Sequence, residues 1–371
     1  MNYLAEYVIE HDWVLYIAAF ASAFGIALVA TPFAKKLSFR VNAVQHPRER
    51  DMHKQPMPCL GGVAIIFGFM ATVALMALFM AEFRTLEFVG FVAGALIIAA
   101  CGIADDIFDL KARTKLVFQL VAALVVVLAG IRIEMVVWPV FAYLENFSIP
   151  FTILWIIGMT NAVNLIDGLD GLAAGVSAIG ALCLMALCII SGSPLAVVLS
   201  ATLAGSCLGF LPRNFNPAEV FMGDTGALFL GYVLAVSSIL GVFKGYTLLA
   251  VLVVFFALSL PIANTLFVFV RRISKERKLS AWMVADKGHF HNRLIEAGYS
   301  HKQAVVLMYG FSLVSAVVAV VIAVRDGRAI AVMVIFLLAL LLVLFVYKRR
   351  TGHTATTPTR PPDASPPPPP E

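Results

Sequence analysis

"FVGFVAGALIIAACGIADDIFDL", residues 88–110, is an uncharged and mainly apolar run that ends on three carboxylates, Asp105, Asp106 and Asp109. As a helix, 88–104 covers about 25 Å at roughly 1.5 Å per residue, close to the ~30 Å of a bilayer's hydrocarbon. The aspartates then mark where the chain leaves the lipid. The same pattern recurs along the sequence. Apolar stretches without Asp, Glu, Lys or Arg occupy 13–34, 61–80, 88–104, 116–131, 149–166, 172–191, 195–211, 225–242, 247–270, 303–323 and 329–347. The chain is 61% hydrophobic and 13% charged, whereas a soluble domain carries about a quarter charged residues. The expected fold class is therefore an all-α, polytopic integral membrane protein with about 11 transmembrane helices.

Charge sets the expected orientation. If the loops after odd-numbered spans face the cytoplasm, 22 of the 27 Lys and Arg lie on that side, as the positive-inside rule requires. The N-terminus (Glu6, Glu10, Asp12) is then outside and the C-terminus inside. The net charge of +5 needs no nucleic acid, because inward Lys and Arg meet anionic headgroups. The first span lacks a basic leader and a small-residue cleavage site and reads as a retained helix.

Five cysteines, Cys59, Cys101, Cys183, Cys188 and Cys207, have no metal-ligand spacing and read as small core residues. Residues 1–350 form one membrane-embedded domain. The tail "TGHTATTPTRPPDASPPPPPE", 351–371, is too proline-rich to bury a core and reads as disordered or polyproline-like on the cytoplasmic side.

The polar signals fall on one face of this topology. "HKQPMPCLGG" (53–62) follows span 1, "ADDIFD" span 3, "RNFNPAEVFMGDTGA" (213–227) span 7 and "DKGHFHNRLIEAG" (286–298) span 9; "NAVNLIDGLDGLA" (161–173) closes span 5. All lie on the cytoplasmic side. Continued as helix, 105–109 puts Asp105 and Asp109 on one face with Asp106 turned away. Asp167 and Asp170, and likewise Asn161 and Asn164, are three apart, so each pair can enter one cavity. Carboxylates clustered near lipid need a cation or basic partners. Oxygen ligands without cysteine suit Mg²⁺ or Mn²⁺ rather than zinc. Lys54, Lys111, Arg113, Lys115 and Arg293 can meet phosphates. Singly, "DDIFD" reads as solvated loop, "DGLDG" as a glycine turn and "HFH" as a surface accident. Jointly they point to phosphoryl transfer involving a lipid.

"DDIFDL", "NAVNLIDGLDGLA", "NFNPAEVFMGDTGA" and "DKGHFHNRL", in that order and spacing over about 35–300, resemble the polyprenyl-phosphate N-acetylhexosamine-1-phosphate transferases of the glycosyltransferase family 4 type. The resemblance implies a multi-pass enzyme of the bacterial inner membrane, its active site on the cytoplasmic face, that moves a sugar 1-phosphate from a UDP-sugar to undecaprenyl phosphate and releases UMP. It implies Mg²⁺, with Mn²⁺ as substitute, held by Asp224 with Asn164. Asp105 becomes a base or carrier-phosphate partner with Asp106 beside it, although an ionised lipid phosphate needs little help from a base. Lys115 becomes a phosphate contact. Asp170, Asn214, Lys54 and Phe221 hold the uracil, and Asp167 supports catalysis or the metal. His291, with His289 and Arg293, contacts diphosphate or sugar. The resemblance also admits a homodimer.

Within the family, "MPCLGG", "HFHN" and the Arg271–Arg272 pair favour UDP-N-acetylglucosamine, for O-antigen, common antigen, teichoic acid or exopolysaccharide. Another UDP-N-acetylhexosamine or UDP-N-acetylmuramoyl-pentapeptide is the alternative donor. Asn292 and Asn264 depart from residues usual in the family, a histidine and an aspartate. An ion-coupled transporter is the rival of another class; it would carry charge at mid-membrane, where this sequence has none.

Overall fold

The computed structural model describes residues 13–45, 56–133, 145–242, 255, 258–265 and 290–324, with the backbone alone for 145, 146 and 290–292. The expected span 329–347, most of 247–270 and the proline-rich tail lie outside the described residues.

Expected spans appear as helices in chain order. They are α1 (Trp13–Arg40), α2 (Gly62–Met76), α3 (Leu86–Phe108), α4 (Ala112–Leu128), α5 (Glu145–Ile166), α6 (Leu172–Ser191), α7 (Pro194–Asn214), α8 (Gly223–Gly241), the short α9 (Phe290–Glu296) and α10 (His301–Ala323). Seven of them are long and apolar enough to cross a membrane; α2 is a shorter apolar helix. Two two-residue strands, Val44–Gln45 and Met57–Pro58, pair antiparallel. The helix starts follow local chemistry. Thr85 caps α3 by accepting from the Phe88 N–H at 3.2 Å. Ser300 and Gln303 form a reciprocal capping box on α10, each satisfying a backbone donor that the first turn leaves open.

The centre is α8, which packs against α2, α3, α5, α6 and α7. Its close neighbours are admitted by small residues, the usual device where hydrocarbon gives helices no hydrophobic reason to associate. A Cβ on Gly62 would collide with the Gly226 backbone, and one on Gly102 would stand 2.5 Å from Thr225 Cα. Buried polar groups find partners across these seams. Tyr232 Oη donates to the Phe91 carbonyl at 2.8 Å and Trp155 Nε1 to Ser238 Oγ at 3.2 Å. The outward faces instead show Val29, Phe33, Phe67, Leu96 and Leu154, a surface suited to lipid. The chain is an integral membrane protein.

One local expectation fails. The helix carrying the aspartates does not run on to align Asp105 with Asp109. It stops at Phe108, where Asp109 turns left-handed (φ 51°) and its N–H closes on the Asp105 carbonyl at 2.8 Å. Asp tolerates that conformation better than most residues, so Asp109 ends the helix and is itself exposed.

Candidate active site

The C-terminal ends of α3 and α5 meet the N-terminal ends of α4 and α8, and four side chains close the junction. Lys115 Nζ lies 3.0 Å from Asp105 Oδ2 and 2.8 Å from Asp224 Oδ2. Asn164 Nδ2 donates to the other Asp224 oxygen at 2.9 Å. The Asp105 side chain is only 9% exposed, so its pairing with Lys115 is shielded from the solvent that makes surface ion pairs weak. Its second oxygen accepts the Leu110 N–H at 2.9 Å.

Asp106 has a different task from its neighbour. Its Oδ1 accepts the Asp224 N–H at 2.9 Å, and its Oδ2 accepts the Thr225 N–H at 3.0 Å and the Thr225 hydroxyl at 2.6 Å. A carboxylate thus caps the N-terminus of α8, where open N–H groups and the helix dipole favour negative charge. Gly102, one turn earlier on α3, lets the two helices come close enough for this contact.

The segment leading into α8 is held from the other side. The Phe221 N–H donates to the Pro58 carbonyl, Gly61 N–H to the Phe221 carbonyl and Gly62 N–H to the Met222 carbonyl, each at 2.9 Å. "MPCLGG" therefore buttresses "VFMGDTG", and Phe221 is left half-buried. Cys59 lies in this buttress, and burial pushes its thiol up to about 12. A thiol held there is protonated at neutral pH and a poor nucleophile.

Asp170 and Asn214 are brought together as internal ties. Asp170 Oδ2 accepts from Asn216 Nδ2 at 2.9 Å and from the Ala218 N–H at 3.0 Å. Asn214 accepts the Gly171 N–H at 3.1 Å and donates to the Val220 carbonyl at 2.9 Å. Both are buried, so any contact of theirs with a ligand comes in addition to these bonds. Asp167, in the turn after α5, has its carboxyl pushed up to about 8 by burial and by Asp224, Asp106 and Asp170.

Of the other expected site residues, Lys54 and His289 lie outside the described residues. His291 is described by its backbone alone, in the first turn of α9. Arg293 is half-buried on the same helix, and its neighbour Leu294 packs with Ile166, Leu169 and Leu172. That contact seats α9 on the loop that carries Asp167 and Asp170.

Three partners had not been singled out. Thr225 adds the hydroxyl to Asp106. Gln119, 1% exposed, exchanges hydrogen bonds with Asn161 (Asn161 Nδ2 to Gln119 Oε1, 2.6 Å; the reverse, 3.4 Å). Asn161 and Asn164 of α5 therefore have separate partners, the first on α4 and the second on α8. Tyr309 Oη donates to the Gly171 carbonyl at 2.5 Å. A lone glutamine inside an otherwise apolar span was the available signal for Gln119, since a polar group in hydrocarbon needs an internal partner. Asn264 is buried, and its amide reaches the Leu165 carbonyl at 3.4 Å, beside Asn164. An ionised aspartate there has no proton to donate.

The donor set is hard. Asp105, Asp106, Asp167 and Asp224 supply carboxylate oxygens, and Lys115 is the cation bonded to two of them. Among the described residues no three His, Cys, Asp or Glu side chains form a ready metal cluster. Mg²⁺ does not need one, because it is commonly held by one or two carboxylates with waters and phosphates completing its shell. The residues present fit that ion.

A polytopic helical bundle that gathers carboxylates, a lysine and amides at one end has the groups that phosphoryl transfer uses. Comparison with known sequences gives the family: the glycosyl transferase family 4 profile matches residues 88–242. A probable undecaprenyl-phosphate N-acetylglucosaminyl 1-phosphate transferase of Bacillus subtilis is 37% identical over 320 residues, 85% of this chain and 87% of that protein. A decaprenyl-phosphate N-acetylglucosaminephosphotransferase of Mycobacterium leprae is 36% identical over 316 residues, 76% of this chain and 78% of the relative. A phospho-N-acetylmuramoyl-pentapeptide-transferase of Caldanaerobacter subterraneus is 34% identical over 236 residues, 59% of this chain and 73% of the relative. The chain belongs to glycosyl transferase family 4.

Proposed function

We propose that this chain transfers N-acetylglucosamine 1-phosphate from UDP-N-acetylglucosamine to undecaprenyl phosphate, releasing UMP, on the cytoplasmic face of a bacterial inner membrane. The observation that carries the reading is the Asp105–Lys115–Asp224–Asn164 cluster where four helix ends meet. For the sugar, the relatives named for N-acetylglucosamine match more of the chain than the muramoyl-pentapeptide relative. For the orientation, the lopsided distribution of Lys and Arg supports the cytoplasmic side.

A lipid phosphate oxygen attacks the β-phosphorus, a new P–O bond forms, the bond to the bridging oxygen breaks, and UMP leaves with its electron pair. Asp224 with Asn164 would hold Mg²⁺, which would supply charge neutralisation to the diphosphate. The chain's own residues do the rest. Lys115 offers its ammonium to a phosphate oxygen, and Asp105 aims that ammonium rather than removing a proton, since the acceptor is already ionised. Asp106 fixes the turn that presents Asp224. Phe221 offers its ring to the uracil, and His291, with His289 and Arg293, is assigned to the diphosphate or sugar.

The test is UMP release by the detergent-purified chain with undecaprenyl phosphate, comparing UDP-N-acetylglucosamine, UDP-N-acetylgalactosamine and UDP-N-acetylmuramoyl-pentapeptide, in Mg²⁺ and in EDTA. Lipid- and Mg²⁺-dependent release from the first donor alone is expected. Release from either other donor in preference overturns the sugar, and EDTA-resistant release overturns the metal.

A further inference from the structure

The membrane-facing side of the bundle holds a second feature that the transfer reaction does not use. A cavity of about 920 Å³ runs between α1 and α2, lined by Gly25, Ile26, Val29 and Phe33 on α1 and by Val63 and Phe67 on α2, with Lys36 and Arg40 at one end. Gly25, Val29, Phe33, Lys36 and Arg40 follow one another at helical spacing, so a single stripe of α1 is apolar for three positions and cationic for two. A Cβ at Gly25 would meet nothing within 4 Å, which leaves the deep end open.

The two cations, Lys36 and Arg40, stand without an acidic partner among the described residues, and both are exposed. Neighbouring Lys35 is instead bound to Glu219 at 3.1 Å. From Gly25 to Arg40 the stripe spans about 22 Å, which is one leaflet's ~15 Å of hydrocarbon plus its headgroup layer. We infer that this groove binds an anionic phospholipid, its acyl chain lying along Gly25–Phe33 and its phosphate between Lys36 and Arg40.

Two arguments separate this occupant from its rivals. A second copy related by a two-fold axis along the membrane normal would bring its own Lys36 and Arg40 to the same depth, adding like charge where an anion is wanted. The polyprenyl acceptor is the poorer fit, because the groove's cations lie on α1, which packs chiefly on α2 and α7, whereas Asp105, Lys115 and Asn164 lie on α3, α4 and α5. Basic pockets between transmembrane helices are a known setting for anionic headgroups.

The experiment is native mass spectrometry of the delipidated full chain with an equimolar mixture of dioleoyl phosphatidylglycerol and dioleoyl phosphatidylcholine. The wild type should prefer phosphatidylglycerol by about ten-fold, from two contacts each weakly favourable. Lys36→Gln with Arg40→Gln should bring that ratio near one, while Lys35→Gln, which removes the same kind of charge, should leave it unchanged. Gly25→Phe should lower retention of both lipids. Each variant is first checked for wild-type melting temperature and elution volume. No headgroup preference in the wild type, an equal loss in Lys35→Gln, full retention in Gly25→Phe, or displacement of the whole lipid by inorganic phosphate overturns the site. So does a wild-type dimer that Gly25→Phe dissociates with lipid retention unchanged.

Discussion

Lys115 and Asp224 meet at 2.8 Å across 109 residues of sequence, and that ion pair ties the start of α4 to the start of the central helix α8. The same ammonium holds Asp105 at 3.0 Å. One lysine therefore keeps two carboxylates from different helices close together, and its removal leaves them facing each other in a poorly hydrated pocket. Lys115→Ala is expected to lower UMP release by about 100- to 1,000-fold, the usual effect of losing one group that stabilises developing phosphate charge. Activity within a few-fold of wild type would show that Lys115 is only a structural tie.

Asp106 acts on the site through α8. Asp106→Asn puts an amide NH₂ where one oxygen now accepts hydrogen bonds, so either the Asp224 N–H or both Thr225 donors lose their partner. The expected stability cost is about 1–2 kcal/mol, as for other lost helix caps. Turnover should fall while the KM for UDP-sugar changes little, because the turn carrying Asp224 shifts and the uracil contacts do not. A variant with a raised KM and unchanged kcat would assign Asp106 to nucleotide binding instead.

Asp167 gives the site a pH signature. Its carboxyl is held at about 8 against an ordinary 3.8, so between those values the folded chain binds a proton that the unfolded chain has released. Stability without a divalent cation is therefore greatest at the acid end and declines as pH rises from about 4 towards 8. In EDTA the melting temperature should fall across that window, and Asp167→Asn should flatten the fall. Mg²⁺ should restore most at the alkaline end, where the carboxylates are ionised. A wild-type profile that stays level, or that Asp167→Asn leaves unchanged, removes Asp167 from the electrostatics of the site.

Phe221 is anchored at both backbone groups, by Pro58 and Gly61, so its ring can be removed without loosening the segment. Phe221→Ala is expected to raise the KM for UDP-sugar by about 5- to 100-fold, the scale of one lost stacking contact, and to leave kcat largely intact. A loss confined to kcat would mean that the ring does not meet the uracil.

The helical membrane architecture was legible because hydrocarbon permits little else: each described helix from α1 to α8, and α10, overlaps an uncharged apolar stretch and carries its charges near its ends. The order of packing was not legible. Among the seven long apolar helices α8 has the lowest hydropathy, 1.5, yet is the most buried; its core position depends on glycines such as Gly226 and on Gly62 and Gly102 opposite, which hydropathy does not weight. At the site the residue types were legible but not their assignments. Asp105 and Asp106 are adjacent in sequence, yet one turns to Lys115 and the other to the α8 backbone. Asp109 ends the helix whose continuation would have aligned it with Asp105, because a left-handed cap leaves no mark on hydrophobic spacing.

Gln119 shows how the setting decides a magnitude. Its exchange of hydrogen bonds with Asn161 sits one turn along α4 from Lys115, and in a soluble core Gln119→Leu would strand Asn161 at about 1–3 kcal/mol. Between membrane helices the average is nearer ~0.6 kcal/mol, because polar groups in the unfolded state also find partners. Asn161 moreover keeps a bond to the Ile157 carbonyl at 2.7 Å. We therefore expect Gln119→Leu to fold, to lose less than about 1 kcal/mol in stability, and to keep UMP release within a few-fold of wild type. If release instead collapses while the melting temperature holds, the pair positions Lys115 for the reaction, and conversion of Asn161 to leucine should reproduce the defect with no further loss in the double variant.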